Sequence, residues 1–325
     1  LAEEQDSFGG SLTYNTDCTI DGLPAFEWVK RTVAALSSMP EVILLKTTVA
    51  TGYYDHNYLT LLDTTDNGNQ TGSEYKTRQR LWKIRAKRVV LATGQIERPL
   101  IFRDNDRPGI MLSAAMRTYL NRYGASPGNR VLLFTNNDDA YRTAISLKKN
   151  NVPIAGIVDL RNDPDGELVD QVRSEGITIY PGHAIVSTAG YLRVKSVKIM
   201  QLSEDGTKLI GSMKEVRCDS VGMSGGWNPT VHLFSQSGGK LKWDEELAQF
   251  LPKTATQNLV SIGGCDGTQG LRNCLQAGLK AGAESANATN NKGRAPRLPK
   301  IIEPKYNDQR TVWLIPPERA NKKTG

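Results

Sequence analysis

An apolar run, Val89-Val90-Leu91, that ends abruptly in Ala92-Thr93-Gly94 and continues into Arg98-Pro99 leaves this chain few folds to choose from. Unbroken branched residues predict a strand buried on both faces, as in a parallel sheet. The small residues after it let the chain turn closely beneath a bound nucleotide, with Gly94 able to adopt a positive φ. Such a turn makes sense only where a nucleotide-binding half precedes it: first strand, glycine-rich turn, helix and second strand. Leu1-Ala2-Glu3-Glu4 already reads as the end of the second strand, so the sequence reads as an internal piece of a larger polypeptide.

The 325 residues have room for two domains, and 38% apolar with 23% charged content is that of a soluble globular protein. The longest apolar runs, such as 131–134 and 89–92, fall far short of the roughly 20 residues that cross a bilayer. Acidic residues follow Leu1 where a basic and apolar leader would stand. Neither a membrane span nor an export signal is expected, and a cytoplasmic location is the reading. Cys18, Cys218, Cys265 and Cys274 form no Cys-x-x-Cys pair, so free thiols are expected and neither a dithiol centre nor a thiolate metal site has support. His56, His183 and His232 are remote from one another and suggest no metal or proton relay. The net charge of +7 is spread along the chain, with much of it in 76–88 and 293–324. No stacking aromatics stand between basic residues, so a solvated basic surface or an anionic-cofactor pocket is expected, and no nucleic acid.

Phe26, Val29, Val33 and Leu36 predict a helix over 23–39, stopped at Ser37-Ser38-Met39-Pro40. A strand at Val42–Leu45 follows, then 47–63 and 80–85 alternate as two antiparallel strands joined by a polar loop at 64–72. A helical pattern at 113–123 runs into a turn-rich boundary at 123–128. A fresh α/β unit opens there: strand 130–134, helix 138–149, strand 154–158 ending in Asp159, and strand 177–180. Segments 184–187, 192–201 and 208–217 add an antiparallel flap. From Cys218 the chain is expected to return to the first domain, where strand 258–262 leads through Gly263-Gly264-Cys265-Asp266-Gly267 to a helix at 270–287. The expected domains are therefore 1–125 with 218–292, then 126–217. Residues 293–325, carrying Pro296, Pro299, Pro304, Pro316 and Pro317, read as an extended connector to a further domain.

An acid ending the second strand of a nucleotide-binding unit accepts hydrogen bonds from an adenosine ribose. Glu3 and Glu4 compete for that role, with Glu3 favoured, and Gly9-Gly10 shortly after lets the backbone pass close to a ligand. The alternative is a surface acidic turn. Gly264 and Asp266 resemble the late glycine and aspartate of flavoproteins, with Cys265 inserted between them. In the second unit Thr135-Asn136-Asn137-Asp138-Asp139-Ala140 stands where Gly-x-Gly-x-x-Gly/Ala belongs. Thr135 and Asn137 replace the glycines that admit a pyrophosphate, and Asp138 adds negative charge there, so no ordinary dinucleotide is expected although Asp159 holds the ribose-contact position. The plainer reading is that the run caps the helix. Ser224-Gly225-Gly226-Trp227-Asn228-Pro229 reads either as a backbone nest bordering a flavin or as a tight interdomain turn.

Taken together, these runs resemble the α-subunits of heterotetrameric sarcosine oxidases: Glu-Gln-Asp-Ser-Phe-Gly-Gly-Ser-Leu at 4–12, Ala-Thr-Gly-Gln-Ile-Glu-Arg-Pro at 92–99, Asn-Asp-Arg-Pro-Gly-Ile-Met at 105–111, Phe-Thr-Asn-Asn-Asp at 134–138, Ser-Gly-Gly-Trp-Asn-Pro-Thr-Val-His-Leu at 224–233, and the glycine turn at 263. The resemblance spans essentially the whole chain, and it is most specific at 135–138 and 224–229. It implies an α/β fold of two Rossmann-like dinucleotide-binding domains, the FAD/NAD(P)-binding flavoprotein arrangement, with the first incomplete. It further implies a complex that oxidatively demethylates sarcosine to glycine. Electrons pass from FAD in the β-subunit to FMN at the α/β interface and on to oxygen, giving peroxide. NAD sits in the α-subunit outside the redox chemistry, and tetrahydrofolate on a C-terminal domain takes the one-carbon unit.

On this resemblance the chain is an oxidoreductase subunit with β and smaller subunits as partners. It binds NAD through Glu3, Gly9, Thr93, Gly94 and Gly264, lends Ser224, Gly225, Gly226 and Asn228 to one FMN wall, and carries no amine-oxidising residue. The glycine-rich turn would lie upstream of Leu1 and the folate domain beyond Gly325, so the piece alone would hold nucleotide poorly and expose a sheet edge. Dimethylglycine, proline or opine relatives remain open as substrates. The competing readings are a stand-alone NAD(P)H-dependent flavoprotein reductase and a non-catalytic nucleotide-fold assembly subunit.

Overall fold

The computed structural model describes residues 1–64, 78–291, 296–305 and 309–317. They form two compact units, Leu1–Ile96 with Asn228–Glu303 and Glu97–Trp227 with the chain from Pro304 onward. The α-helices among the described residues are Ala25–Ser37 (α1), Ser113–Tyr123 (α2), Asp139–Lys149 (α3), Glu167–Ser174 (α4), His232–Gln236 (α5) and Leu271–Ala288 (α6). None is long and apolar enough to cross a membrane.

In the first unit Leu1–Glu3 runs beside Leu45 through a single parallel bridge, Ala2 to Leu45. The strand expected at Val42–Leu45 is therefore one bridge, fixed by Glu3 N–H to Leu45 O and Leu45 N–H to Leu1 O, both 2.8 Å. The run 47–63, expected as one strand, is a hairpin: Thr48–Tyr54 pairs with Tyr58–Asp63, which pairs in turn with Arg80–Arg85. His56 at φ 60° and Asn57 at φ 53° make the reversal, a left-handed pair that Asn tolerates better than most residues. Asn57 is also buried, accepting from Tyr53 Oη at 2.8 Å and donating to Asn258 O at 3.2 Å, so the turn is tied into the unit's core. The polar loop expected at 64–72 lies, from residue 65, outside the described residues. Val89–Leu91 pairs in parallel with Leu259–Ser261, and these strands bury Val89, Leu91 and Leu259 against Tyr53, Leu59 and Phe234, whereas Val90 is exposed, so the strand expected to be buried on both faces is covered on one.

The second unit is built on a five-stranded, wholly parallel sheet in the order Ile179–Pro181, Ile154–Asp159, Val131–Thr135, Ser220–Ser224, Ile110–Leu112. Every residue of Val131–Thr135 and of Ser220–Ser224 is buried, as a central strand covered on both faces must be. Ser220–Ser224 thus belongs to this sheet, and the chain returns to the first unit at Asn228, later than the expected return at Cys218. The opening boundary also differs from the expected 125/126: Ile110–Leu112 and α2 already pack with the second sheet, so the unit begins at Glu97. Gly124 ends α2 at φ 64°, with its N–H on Leu120 O and that of Ala125 on Tyr119 O, the paired closure a left-handed glycine permits. A second, antiparallel sheet joins His183–Ala189, Ser196–Leu202 and Leu209–Arg217.

The expected connector is part of both units. Ile301–Ile302 pairs with Thr19–Ile20 in the first. In the second, Ile101 N–H donates to Trp313 O at 2.7 Å and Ile315 N–H to Ile101 O at 2.8 Å, with Ile315 buried in the core.

Candidate functional site

The carboxyl ends of Val89–Leu91 and Leu259–Ser261 lie side by side, and small residues crowd beyond them. Gly264 sits in the 3-10 turn Gly263–Asp266, where a Cβ would meet Gln95 Cγ at 3.1 Å and the Gly94 carbonyl carbon at 3.3 Å. Glycine is what lets the two turns approach. Thr93 Oγ1 donates to Thr230 O at 2.7 Å, and Thr230 N–H donates to Gly94 O at 2.9 Å. Gly94 itself has φ 70° and nothing within 4 Å of its missing Cβ, so its outer face is open to a ligand. The inserted Cys265 points inward, its thiol on Leu91 O at 3.2 Å, and Asp266 faces out. The start of α6 is spent within the chain: the Glu303 carboxylate accepts from the N–H groups of Leu271 and Arg272.

Glu3 and Gly9 form a second patch in the same unit. Glu3 is half-buried, and its Oε1 accepts from Gln5 N–H at 3.0 Å, whereas Glu4 is exposed. Gly9, at φ 127°, runs so close over the start of α1 that a Cβ would meet Val29 Cγ1 at 3.3 Å. Gly10, at φ 53°, opens the short turn Gly10–Thr13 and has open space where a Cβ would stand.

In the second unit the turn that replaces the glycines is filled by its own side chains. Asn137 Oδ1 accepts from Asp139 N–H at 2.9 Å, capping the start of α3, and its Nδ2 donates to Ser224 O at 3.2 Å and Ser224 Oγ at 3.1 Å. Asp138 pairs with Arg161 at 2.7 Å, and Arg161 reaches Asp159 at 2.8 Å. Asp159, the expected ribose contact, is fully buried and accepts from Tyr141 Oη at 2.7 Å. Burial raises its carboxyl, with Arg161 pulling it back.

Beside this lies a carboxyl that no motif along the chain singles out. Glu97 is 4% exposed; its Oε2 accepts from Ala114 N–H at 2.8 Å at the start of α2, and its Oε1 has no hydrogen-bond partner. Burial first, and then the neighbouring Asp139 carboxylate, push Glu97 up to about 8, against Ser224, the Ala114 amide and Arg117. Arg117, itself buried, holds Asp139 with its Nη2 at 2.9 Å from Oδ2. Among the described residues, Arg117 and Arg142 meet Asp139, Arg161 meets Asp138 and Asp159, and none of these ion pairs includes Glu97. Alternation could not flag Glu97, because Gln95–Glu97 is too short to show a period.

The run 224–229 is mostly internal. Ser224, Gly225 and Gly226 are buried; Gly225 N–H donates to Arg98 O at 2.8 Å and Arg98 N–H to Gly226 O at 2.7 Å. A Cβ on Gly225 would meet Arg98 O at 2.9 Å, so this glycine serves close packing of backbone on backbone. Of the run's expected flavin-facing residues, Asn228 is exposed, beside a half-buried Trp227.

No protein-family model matches the chain. Sarcosine oxidase subunit alpha of Corynebacterium sp. (strain P-1) is 34% identical over 328 residues, covering 100% of this chain and 33% of that protein. The subunit alpha of Rhizobium meliloti (strain 1021) is 35% identical over 278 residues, covering 86% of this chain and 27% of that protein. The chain thus spans about a third of the length of these relatives or less. Among solved structures, L-proline dehydrogenase from P. horikoshii superposes with a TM-score of 0.65 at 19% identity, over 91% of this chain and 51% of that one. The fold is the Rossmann-like FAD/NAD(P)-binding α/β fold of flavoprotein oxidoreductases.

Proposed function

We propose, from the premise that this chain is related throughout its length to sarcosine oxidase alpha subunits, that it is the nucleotide-binding part of an oxidoreductase subunit acting on an N-methyl amine. The first unit holds NAD. Gly94 and Gly10 leave open surface where side chains would stand, and Gly264 keeps the two strand-end turns in contact, a cradle of backbone that suits a dinucleotide. Glu3 directly follows the Ala2–Leu45 bridge, the position where a carboxylate would accept from ribose hydroxyls, and its fold-back onto Gln5 N–H fixes its direction. Thr93 supports the turn through Thr230 and does not itself need to reach the ligand.

Exposed Asn228, with Trp227 next to it, is the part of the 224–229 run offered to a flavin. Ser224, Gly225 and Gly226 act behind it by holding the backbone. When bound, flavin would supply the hydride acceptor: FAD in a β-subunit would accept the hydride of the amine, FMN at the α/β interface would pass the electrons to oxygen, and tetrahydrofolate would take the one-carbon unit. The chain's own residues bind and orient, and none of them abstracts a proton from the amine.

The observation that carries this reading is the relationship, along the whole of this chain, to about a third of the alpha subunits' length, met by a glycine-lined strand-end surface in the first unit and a filled one in the second. The test is to express the complete gene product with its neighbouring β-subunit, release the bound small molecules, identify them by mass, and assay sarcosine-dependent peroxide. NAD, FAD and FMN with sarcosine turnover are expected, and Gly94→Val should lower NAD content. FAD in the α-chain alone with NADH oxidation would replace this reading with a reductase.

A further inference from the structure

In an open α/β sheet, ligands bind beyond the carboxyl ends of the strands at the point where strand order reverses. In the second unit that point lies between Val131–Thr135 and Ser220–Ser224, the strands on either side of which the order runs in opposite directions. It is occupied by the chain itself. Asn136 N–H donates to Ser224 O at 3.2 Å, and Asn137 Nδ2 spans the same gap to Ser224. Above them runs the segment from Gln309 to Ile315. Asn136 clasps it on both sides: Nδ2 donates to Arg310 O at 2.8 Å and Val312 O at 3.1 Å, and Asn136 O accepts from Arg310 N–H at 2.9 Å. The Arg310 guanidinium then reaches three backbone carbonyls, those of Leu160, Ser203 and Glu204. Two glycines show how tightly the strap lies: a Cβ on Gly206 would meet Val312 Cγ2 at 2.9 Å, and one on Gly226 would meet Gln309 Oε1 at 2.7 Å.

We propose that this strap is a resident occupant of the second nucleotide crevice, and that Asn136 and Arg310 are the residues that make the second unit refuse pyridine nucleotides. Charge alone would not achieve this, because Asp138 and Asp159 are already met by Arg161. Filled space does. A pyrophosphate approaching the start of α3 finds the Asn137 amide and the Asn136 clasp where glycines would leave room, and the strap where its nicotinamide half would lie. The specificity that follows deepens the proposed function and rests on it: electrons enter from the amine and not from NAD(P)H.

The test uses the assembled complex with its resident cofactors. Equilibrium dialysis counts further equivalents of NADH or NADPH, and hydrogen–deuterium exchange follows the Arg310 and Ile315 amides with and without nucleotide. In the wild type no further equivalent binds at millimolar nucleotide and the protection is unchanged. Restoring the turn with Thr135→Gly and Asn137→Gly still gives no binding while the strap is clasped. Adding Asn136→Ala and Arg310→Ala speeds exchange of the strap by about tenfold or more, as expected for loss of several hydrogen bonds, and admits one equivalent. The proposal is overturned if the wild type binds a further equivalent with loss of strap protection, or if the glycine-restored variant binds with the strap amides still protected. Should the clasp variant fail to fold, the wild-type exchange arm still decides. A complex lacking sarcosine turnover but with a protected strap would sink the functional reading and leave the strap standing.

Discussion

Replacing Glu97 with glutamine separates two roles that one carboxyl could play at the start of α2. If Glu97 is neutral in the fold, it acts as a hydrogen-bond acceptor for Ala114 N–H and not as a charge on the helix dipole. Its folded pKa, pushed up to about 8, lies above the ordinary value of 4.5, so the folded state holds a proton that an opened state gives up between those two values. The contribution is fully present below the ordinary value, declines as pH rises, and is exhausted above the raised one. The slope is at most about 1.4 kcal/mol per pH unit for one proton. Glu97→Gln keeps the acceptor for Ala114 and offers an N–H toward Asp139, so it should match wild type near pH ~5 and exceed it by several kcal/mol above about pH 8. Native-state hydrogen exchange at Ala114 and the first turn of α2, across that range in both proteins, reads the difference directly. A wild type whose opening energy is flat with pH, with Glu97→Gln weaker throughout, would show that Glu97 is ionised and stabilises as a charge.

Arg117→Met should lower the stability of the second unit by up to about 3–5 kcal/mol, since it removes the closer of the two guanidinium groups from the buried Asp139 carboxylate and leaves only Arg142, at 3.7 Å, beside it. Adding Asp139→Asn should recover much of that loss in thermal denaturation of the complex, and equal melting of single and double variants would refute the pairing. Gly190→Ala should cost at least about 2 kcal/mol, because at φ 134° the new Cβ would run into Arg193 O, a backbone atom. An unchanged melting temperature would show that this loop relaxes freely.

Much of the fold was legible because its strands and helices are strongly patterned. The helix expected at 113–123 is α2 to the residue, and the α/β alternation from 130 to 159 fixes the parallel sheet that the Rossmann-like class requires. What escaped were features without a local signal. Asp55-His56-Asn57 carries no glycine, so the hairpin within 47–63 read as a single strand; only the left-handed φ of His56 and Asn57 reveals it. α4 was missed because its buried residues, Leu168, Val169 and Val172, fill barely two turns. Ser220–Ser224 looked like a return to the first domain because its serines and Gly222 hide a strand buried along its whole length. In the candidate site, the glycines at 9, 94 and 264 could be named from spacing, but their purposes differ, and only packing separates open surface at Gly94 from backbone contact at Gly264. Glu97 and Arg310 act through partners 17 and 174 residues away, at Ala114 and Asn136, which no window along the sequence brings together.

Ile301–Ile302 closing on Thr19–Ile20, and Trp313 with Ile315 closing on Ile101, have a further consequence for how the molecule is made. A ribosome delivers the chain from the N-terminus at a few residues per second, and each unit waits for a stitch encoded near residue 300 or later. These are contacts of very long sequence separation, the kind that slow a folding chain. Until Ile301 is made, the nascent chain therefore lacks a stitch in each unit, and both stitches arrive close together, at Ile301–Ile302 and at Trp313 with Ile315.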